Sequence, residues 1–148
     1  MKRAPALSHR FVEYVPDELE AGVIYVSITF ATAIHRCCCG CGSEVVTPLS
    51  PTDWALTYDG ESISLDPSVG NWGFPCKSHY WIERNRVIWA PPWTDREIAE
   101  GRVRNYQAKE RRVRGRGSGL SGLGTSQESA RAAPVRPGFW ARLKNWLQ

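Results

Sequence analysis

From about residue 23 to about residue 92 the hydrophobic and polar positions carry strand patterns, after a polar, turn-rich lead-in, and only then change to a helical pattern. The run VIYVSITF, residues 23–30, is dense in β-branched and aromatic side chains and predicts a strand after Gly22. EVVTPL, 44–49, predicts a shorter strand, with Pro48 marking an edge or an end. WALTYDGESISL, 54–65, predicts a hairpin about Asp59-Gly60, a pair that suits a type I′ turn because both central positions need positive φ. HYWIERNRVIWA, 79–90, predicts a second hairpin with Asn85 in the left-handed conformation at its turn. Thr94 and Glu97 have capping-box spacing. A helix is expected from Asp95 to about Arg114, with Ile98, Val103 and Tyr106 as a weak apolar stripe.

Beyond that helix the periodicity stops. RGRGSGLSGLGTSQESARAAP is rich in Gly and Ser and reads as a flexible linker. In PGFWARLKNWLQ, residues Phe139, Trp140, Leu143, Trp146 and Leu147 return to one helical face. The expected organisation is a lead-in over 1–9, a β-rich metal-binding domain over 10–92, a basic helix over 93–114, a linker over 115–136 and an amphipathic helix over 137–148.

Charge sharpens this division. Residues 1–101 carry 8 Lys/Arg and 13 Asp/Glu, a net of −5, whereas residues 102–148 carry 11 and 2, a net of +9. An acidic body with a basic arm is expected, and Arg102, Arg104, Lys109, Arg111, Arg112, Arg114 and Arg116 leave nucleic-acid binding open as a use of the arm. Five tryptophans fall between Trp54 and Trp93. They read as the core of a small β domain rather than a base-stacking platform, since the half that holds them is acidic. No stretch approaches the ~20 apolar residues of a membrane span, and no apolar run follows the charged start, so a cytoplasmic setting with reduced thiols is expected.

Thiols then change the picture. HRCCCGCG, residues 35–42, holds four of the five cysteines, and FPCKSH, 74–79, holds the fifth three positions before a histidine. Cysteines two or three residues apart on a glycine-containing turn can face one ion together, and thiolate with imidazole is the ligand chemistry of zinc. The 34 residues between Cys41 and Cys76 leave room for a hairpin that brings the two loops side by side. Metal ligands are expected among Cys37, Cys39, Cys41, Cys76 and His79. Cys38 is the expected bystander, because adjacent side chains point apart. His35 is left as a ligand, a donor to a ligand or a surface group.

These segments carry a resemblance. From FVEYVPDELEAGVIYVS through PCKSHYWIERNRVIWA, roughly residues 11–91, the chain resembles a bacterial domain family of unknown function. That family shares a C-x-C-G-C-G loop and an S-x-G-N-W-x-F-P-C-x-S-H-Y-W-I segment. Its thiols match Cys37, Cys39, Cys41 and Cys76, its imidazole matches His79, and the position of Cys38 is usually not cysteine. Members often lie near genes of ubiquitin-like conjugation, which implies an accessory role there and a protein partner, a ubiquitin-like protein or one of its conjugation enzymes. PCKSHYWIERNRVIWA is also similar to the second loop of Rieske domains, which implies a Rieske-like fold. Cys39 stands where the first Rieske loop has histidine, so a single zinc is expected ahead of an iron–sulfur cluster.

The fold expected is mainly β: a small antiparallel domain with Rieske-like or zinc-ribbon-like metal loops, followed by a C-terminal helix and a flexible tail. The function expected is a zinc-binding accessory module that binds a protein. A zinc- or cysteine-dependent hydrolase acting as a deconjugating peptidase, and a Rieske-like electron-transfer protein, are the alternatives. Whether the chain is an enzyme stays open. Glu44, Asp66 and His35 are the available general bases, but no spacing forces any of them toward the ion, and no H-E-x-x-H motif occurs.

Overall fold

The computed structural model describes residues 2–117. Eight strands and one helix follow in chain order: β1 (Ser8–Phe11), β2 (Val23–Ser27), β3 (Thr32–Arg36), β4 (Glu44–Pro48), β5 (Ala55–Tyr58), β6 (Ile63–Gly70), β7 (His79–Glu83), β8 (Arg86–Trp89) and α1 (Asp95–Gly117). They form two four-stranded sheets, β1-β2-β3-β4 and β5-β6-β7-β8. All pairings are antiparallel except β1 with β2, which run parallel. The domain is mainly β, as the alternating sequence leads one to expect.

A single core cluster takes residues from both sheets. Ile24, Val26, Ala33 and Val45 come from the first; Ile63, Leu65, Val69, Tyr80, Ile82 and Val87 come from the second. β2 is buried along its whole length, because the segment between β1 and β2 covers its other face. There Leu19 is buried, and its carbonyl accepts from Arg36 Nε at 2.7 Å. Residues before β1 stitch the sheets together. Ala4 N donates to Cys38 O, Leu7 N to Asn85 O and Val87 N to Pro5 O, all at 2.8–2.9 Å.

Two turns show how side chains choose loop geometry. Arg84 and Asn85 both have positive φ (46° and 64°), so the β7–β8 hairpin closes on two residues. The β5–β6 hairpin does not form the two-residue turn expected at Asp59-Gly60. Only Gly60 has positive φ there, and Tyr58 pairs with Ile63 across a four-residue loop. The Asp59 carboxylate decides the matter: Oδ1 accepts from the backbone of Glu61 and Ser62 at 2.9 and 2.7 Å, which wraps the loop around it.

Two strands were not legible in the sequence, β1 and β3. The helix does form where expected, with Thr94 Oγ1 accepting from Glu97 N at 3.3 Å and Glu97 Oε2 accepting from Thr94 N at 2.7 Å. Its expected apolar stripe is not used. Ile98 is buried, but Val103 and Tyr106 are more than half exposed. The helix rests on the body through its first turns and through polar ties from Lys109 to Asp53 and from Arg112 to the Pro51 carbonyl. Residues 118–148, with most of the expected linker and all of the amphipathic segment 137–148, lie outside the described residues. Among the described residues no helix is long and apolar enough to cross a membrane.

Candidate functional site

Four thiols converge. β3 ends at Arg36 and delivers Cys37, Cys39 and Cys41 on one tight loop; the β6–β7 connection delivers Cys76. Positive φ at Gly40 (85°) and Gly42 (81°) lets the first loop double back. The four sulfurs all lie within 4.8 Å of one another. Cys37 Sγ is 3.4 Å from Cys39 Sγ and 4.0 Å from Cys76 Sγ, and Cys41 Sγ is 3.8 Å from Cys76 Sγ. A tetrahedron of thiolates around zinc, with bonds of ~2.3 Å, has edges of ~3.8 Å. These residues fit a metal ion, and they would hold it with four sulfurs and no position left for water.

The electrostatics suit that role unevenly. Burial opposes ionisation of Cys41, but hydrogen bonds from Ser43 and from the neighbouring thiols outweigh it and bring its pKa down to about 6. Burial raises Cys37 and Cys39. Four thiols this close cannot all ionise without a cation among them. Cys38 faces the other way, into the core, where burial pushes its thiol up to about 12.

A buried polar network backs the sulfurs. Asn71 Nδ2 donates to Ser78 Oγ at 2.8 Å and reaches Cys37 Sγ at 3.7 Å, and Ser78 Oγ lies 3.0 Å from Cys37 Sγ. Behind it Tyr80 Oη is 2.8 Å from His35 Nε2. His35 is on β3, fully buried, and desolvation lowers its pKa to about 4, so it packs as a neutral ring. It is not a surface group, and it is not in the thiol cluster.

His79 is placed elsewhere. It begins β7, pairs in register with Gly70 and shares a sheet face with Trp81. Its Nε2 lies 2.9 Å from Ser68 Oγ. The reason is a bulge in β6. Leu65 pairs with Ile82 and Val69 with Tyr80, so four steps along β6 match two along β7, and the extra residues carry Ser68 toward the histidine. Gly70 leaves room for the Trp72 indole: a Cβ there would meet Trp72 Nε1 at 2.5 Å. Three indoles surround the imidazole, with ring centroids 4.7 Å (Trp93), 4.9 Å (Trp72) and 5.3 Å (Trp81) away. Trp93 also stacks on Trp72 at 5.3 Å and 16°. His79 is 6% exposed, and its Nδ1 is buried with no hydrogen-bond partner. Burial lowers its pKa, so at neutral pH the ring is uncharged and can accept a proton.

A hydroxyl within hydrogen-bond reach of a neutral imidazole is the minimum of a nucleophile–base pair. Ser68 is only partly buried, whereas Ser78 is buried and spent on Cys37 and Asn71. Sequence reading did not single out Ser68. Its separation of eleven residues from His79 carries no periodicity, and its one signal is the serine that opens S-x-G-N-W. Of the bases considered from sequence, Asp66 is exposed on β6, Glu44 pairs opposite Arg36, and His35 is bound to Tyr80.

With this geometry in place, comparison with protein families gives one identification. The chain belongs to the BubE family, described as the bacterial ubiquitination-like system serine protease, whose model matches residues 11–90. The match covers both thiol loops, Ser68 and His79, and stops before Trp93. Comparison with curated proteins gives no match, and neither does comparison with solved structures.

Proposed function

We propose that this member of the BubE family is a serine hydrolase of a bacterial ubiquitination-like system, with Ser68 as nucleophile, His79 as its base and a structural zinc at the four thiols. The observation that carries this reading is the 2.9 Å contact between Ser68 Oγ and His79 Nε2 on the outer face of β6–β7. The family's description as a serine protease supports it. Ser68 Oγ attacks a carbonyl carbon and passes its proton to His79 Nε2, which returns it to the leaving amine. The substrate class is a peptide or isopeptide bond at the tail of a ubiquitin-like protein.

Zinc would be held by Cys37, Cys39, Cys41 and Cys76 and would staple the β3–β4 loop to the β6–β7 connection. A closed four-sulfur sphere polarises no substrate, which argues against a zinc-dependent hydrolase. It equally disfavours a Rieske centre, which needs two histidines on one iron. A non-catalytic accessory module is the second reading, favoured by the same closed sphere. The basic residues of α1 leave nucleic acid as a partner in either case.

A fluorophosphonate probe decides between them. Its phosphorus bonds to Ser68 Oγ, fluoride leaves and the hydroxyl proton passes to His79. Peptide mapping is expected to find the adduct on Ser68, none in Ser68→Ala, and labelling slowed at least ~10²-fold in His79→Ala. A wild-type chain with its metal bound that takes no label on Ser68 would leave only the accessory module standing.

A further inference from the structure

A serine–histidine pair normally needs a third group. For Nε2 to take the serine's proton, the ring's own proton must sit on Nδ1, and a carboxylate usually holds it there. Among the described residues no such group meets His79: its Nδ1 is buried without a partner, and aromatic rings line its surroundings. Rings of indole present electron-rich faces. An N–H directed at such a face is attracted, whereas a bare nitrogen lone pair is repelled. Where an indole face meets Nδ1, and with no hydrogen-bond partner for it among the described residues, the proton is favoured there, which leaves Nε2 free to accept from Ser68. They also wedge the ring. The planes of Trp93 and Trp72 cross that of the imidazole at 76° and 62°, and Trp81 lies tilted against it at 36°.

We infer that Trp93, with Trp72 and Trp81, is a positioning residue that fixes the tautomer and orientation of His79 in place of a carboxylate. The inference rests on the Ser68–His79 reading for its catalytic consequence, but its physical content does not. Trp93 is the telling member. It lies three residues past the matched family segment, and the start of α1 holds it in place. A Cβ on Gly101 would come within 3.0 Å of its Cζ3, so the helix backbone packs directly on the indole. Ile98 is buried nearby, and Lys77 Nζ reaches Asp95 Oδ1 at 2.6 Å beside it.

Two measurements on the full, metal-loaded chain test this. The first is the 15N spectrum of the His79 ring at neutral pH. Wild type is expected to show the proton on Nδ1, and Trp93→Leu to show a mixture of both tautomers, with Trp93→Phe restoring the wild-type pattern. The second is fluorophosphonate labelling of Ser68. Trp93→Leu is expected to lower the maximal labelling rate about tenfold while leaving the probe's half-saturating concentration unchanged, and Trp93→Phe to recover most of the loss. Trp81→Leu, which leaves the α1 contact intact, should move both readouts the same way. A Trp93→Leu protein that labels at the wild-type maximal rate overturns the inference. If wild type takes no label, the serine-hydrolase reading fails alone, and the spectrum decides: an unchanged tautomer overturns the brace and a mixed one sustains it.

Discussion

Burial of an imidazole lowers its pKa because the charged form loses more hydration than the neutral one. For His79 the direction is downward from 6.5. A base with a lowered pKa stays unprotonated further into acid, so the acid limb of the Ser68 labelling profile should have its midpoint below pH 6.5. A midpoint at or above that value would mean that the histidine is solvated in solution. Tyr80 makes a different point. Among the described residues its hydroxyl is the one hydrogen-bond partner of the buried His35 ring, whose Nδ1 has none. Tyr80→Phe would leave both ring nitrogens unpaired and should cost about 1–3 kcal/mol in urea unfolding. Thiols were legible at this scale because their density has few other uses near glycine turns. Ser68 was not, because one serine on a strand looks like any other until a bulge turns it.

Strands were legible where side chains alternate. Residues 23–27, 44–48 and the two hairpins follow the pattern of β-branched and aromatic positions. β1, with only four residues and three of them exposed, has too little alternation to register. β3 is buried nearly throughout and includes His35, whose polarity masks a core position. At the level of elements the β6–β7 pair is the weak point, since it carries Cys76, the bulge and both members of the proposed pair. Gly70→Ala would drive a methyl group into Trp72 and should destabilise the fold by about 1–3 kcal/mol while displacing the indole. Cys76→Ser should release the metal, read as loss of one zinc per chain by elemental analysis. It should also lower Tm by about 10 °C or more, on a scale of ~4–8 °C per kcal/mol for a domain of this size. Full zinc retention in that variant would contradict the proposed ligand set.

Over the whole molecule, α1 is fastened by few apolar contacts and several exposed ones. Exposed ion pairs such as Lys77–Asp95 contribute roughly 0–1 kcal/mol each. Ile98 and the stacked Trp93 therefore carry most of the docking. Ile98→Ser should speed amide hydrogen exchange along the first turns of α1, whereas Lys109→Ala should leave it near wild type. Equal protection in both variants would show that the polar ties hold the helix. The charge asymmetry of the sequence marks α1 as basic but could not say which of its apolar residues meets the body, because that depends on where Trp93 comes to rest.

The ring of four sulfurs also has a spectroscopic use. Cobalt(II) accepts the same tetrahedral environment, and its ligand-field bands in the visible respond in energy and intensity to the number and kind of atoms around it. Titrating the purified chain with cobalt would thus turn colourless protein into its own coordination gauge. An all-thiolate spectrum would count four sulfurs, and a band moved by imidazole would bring His79 back to the ion.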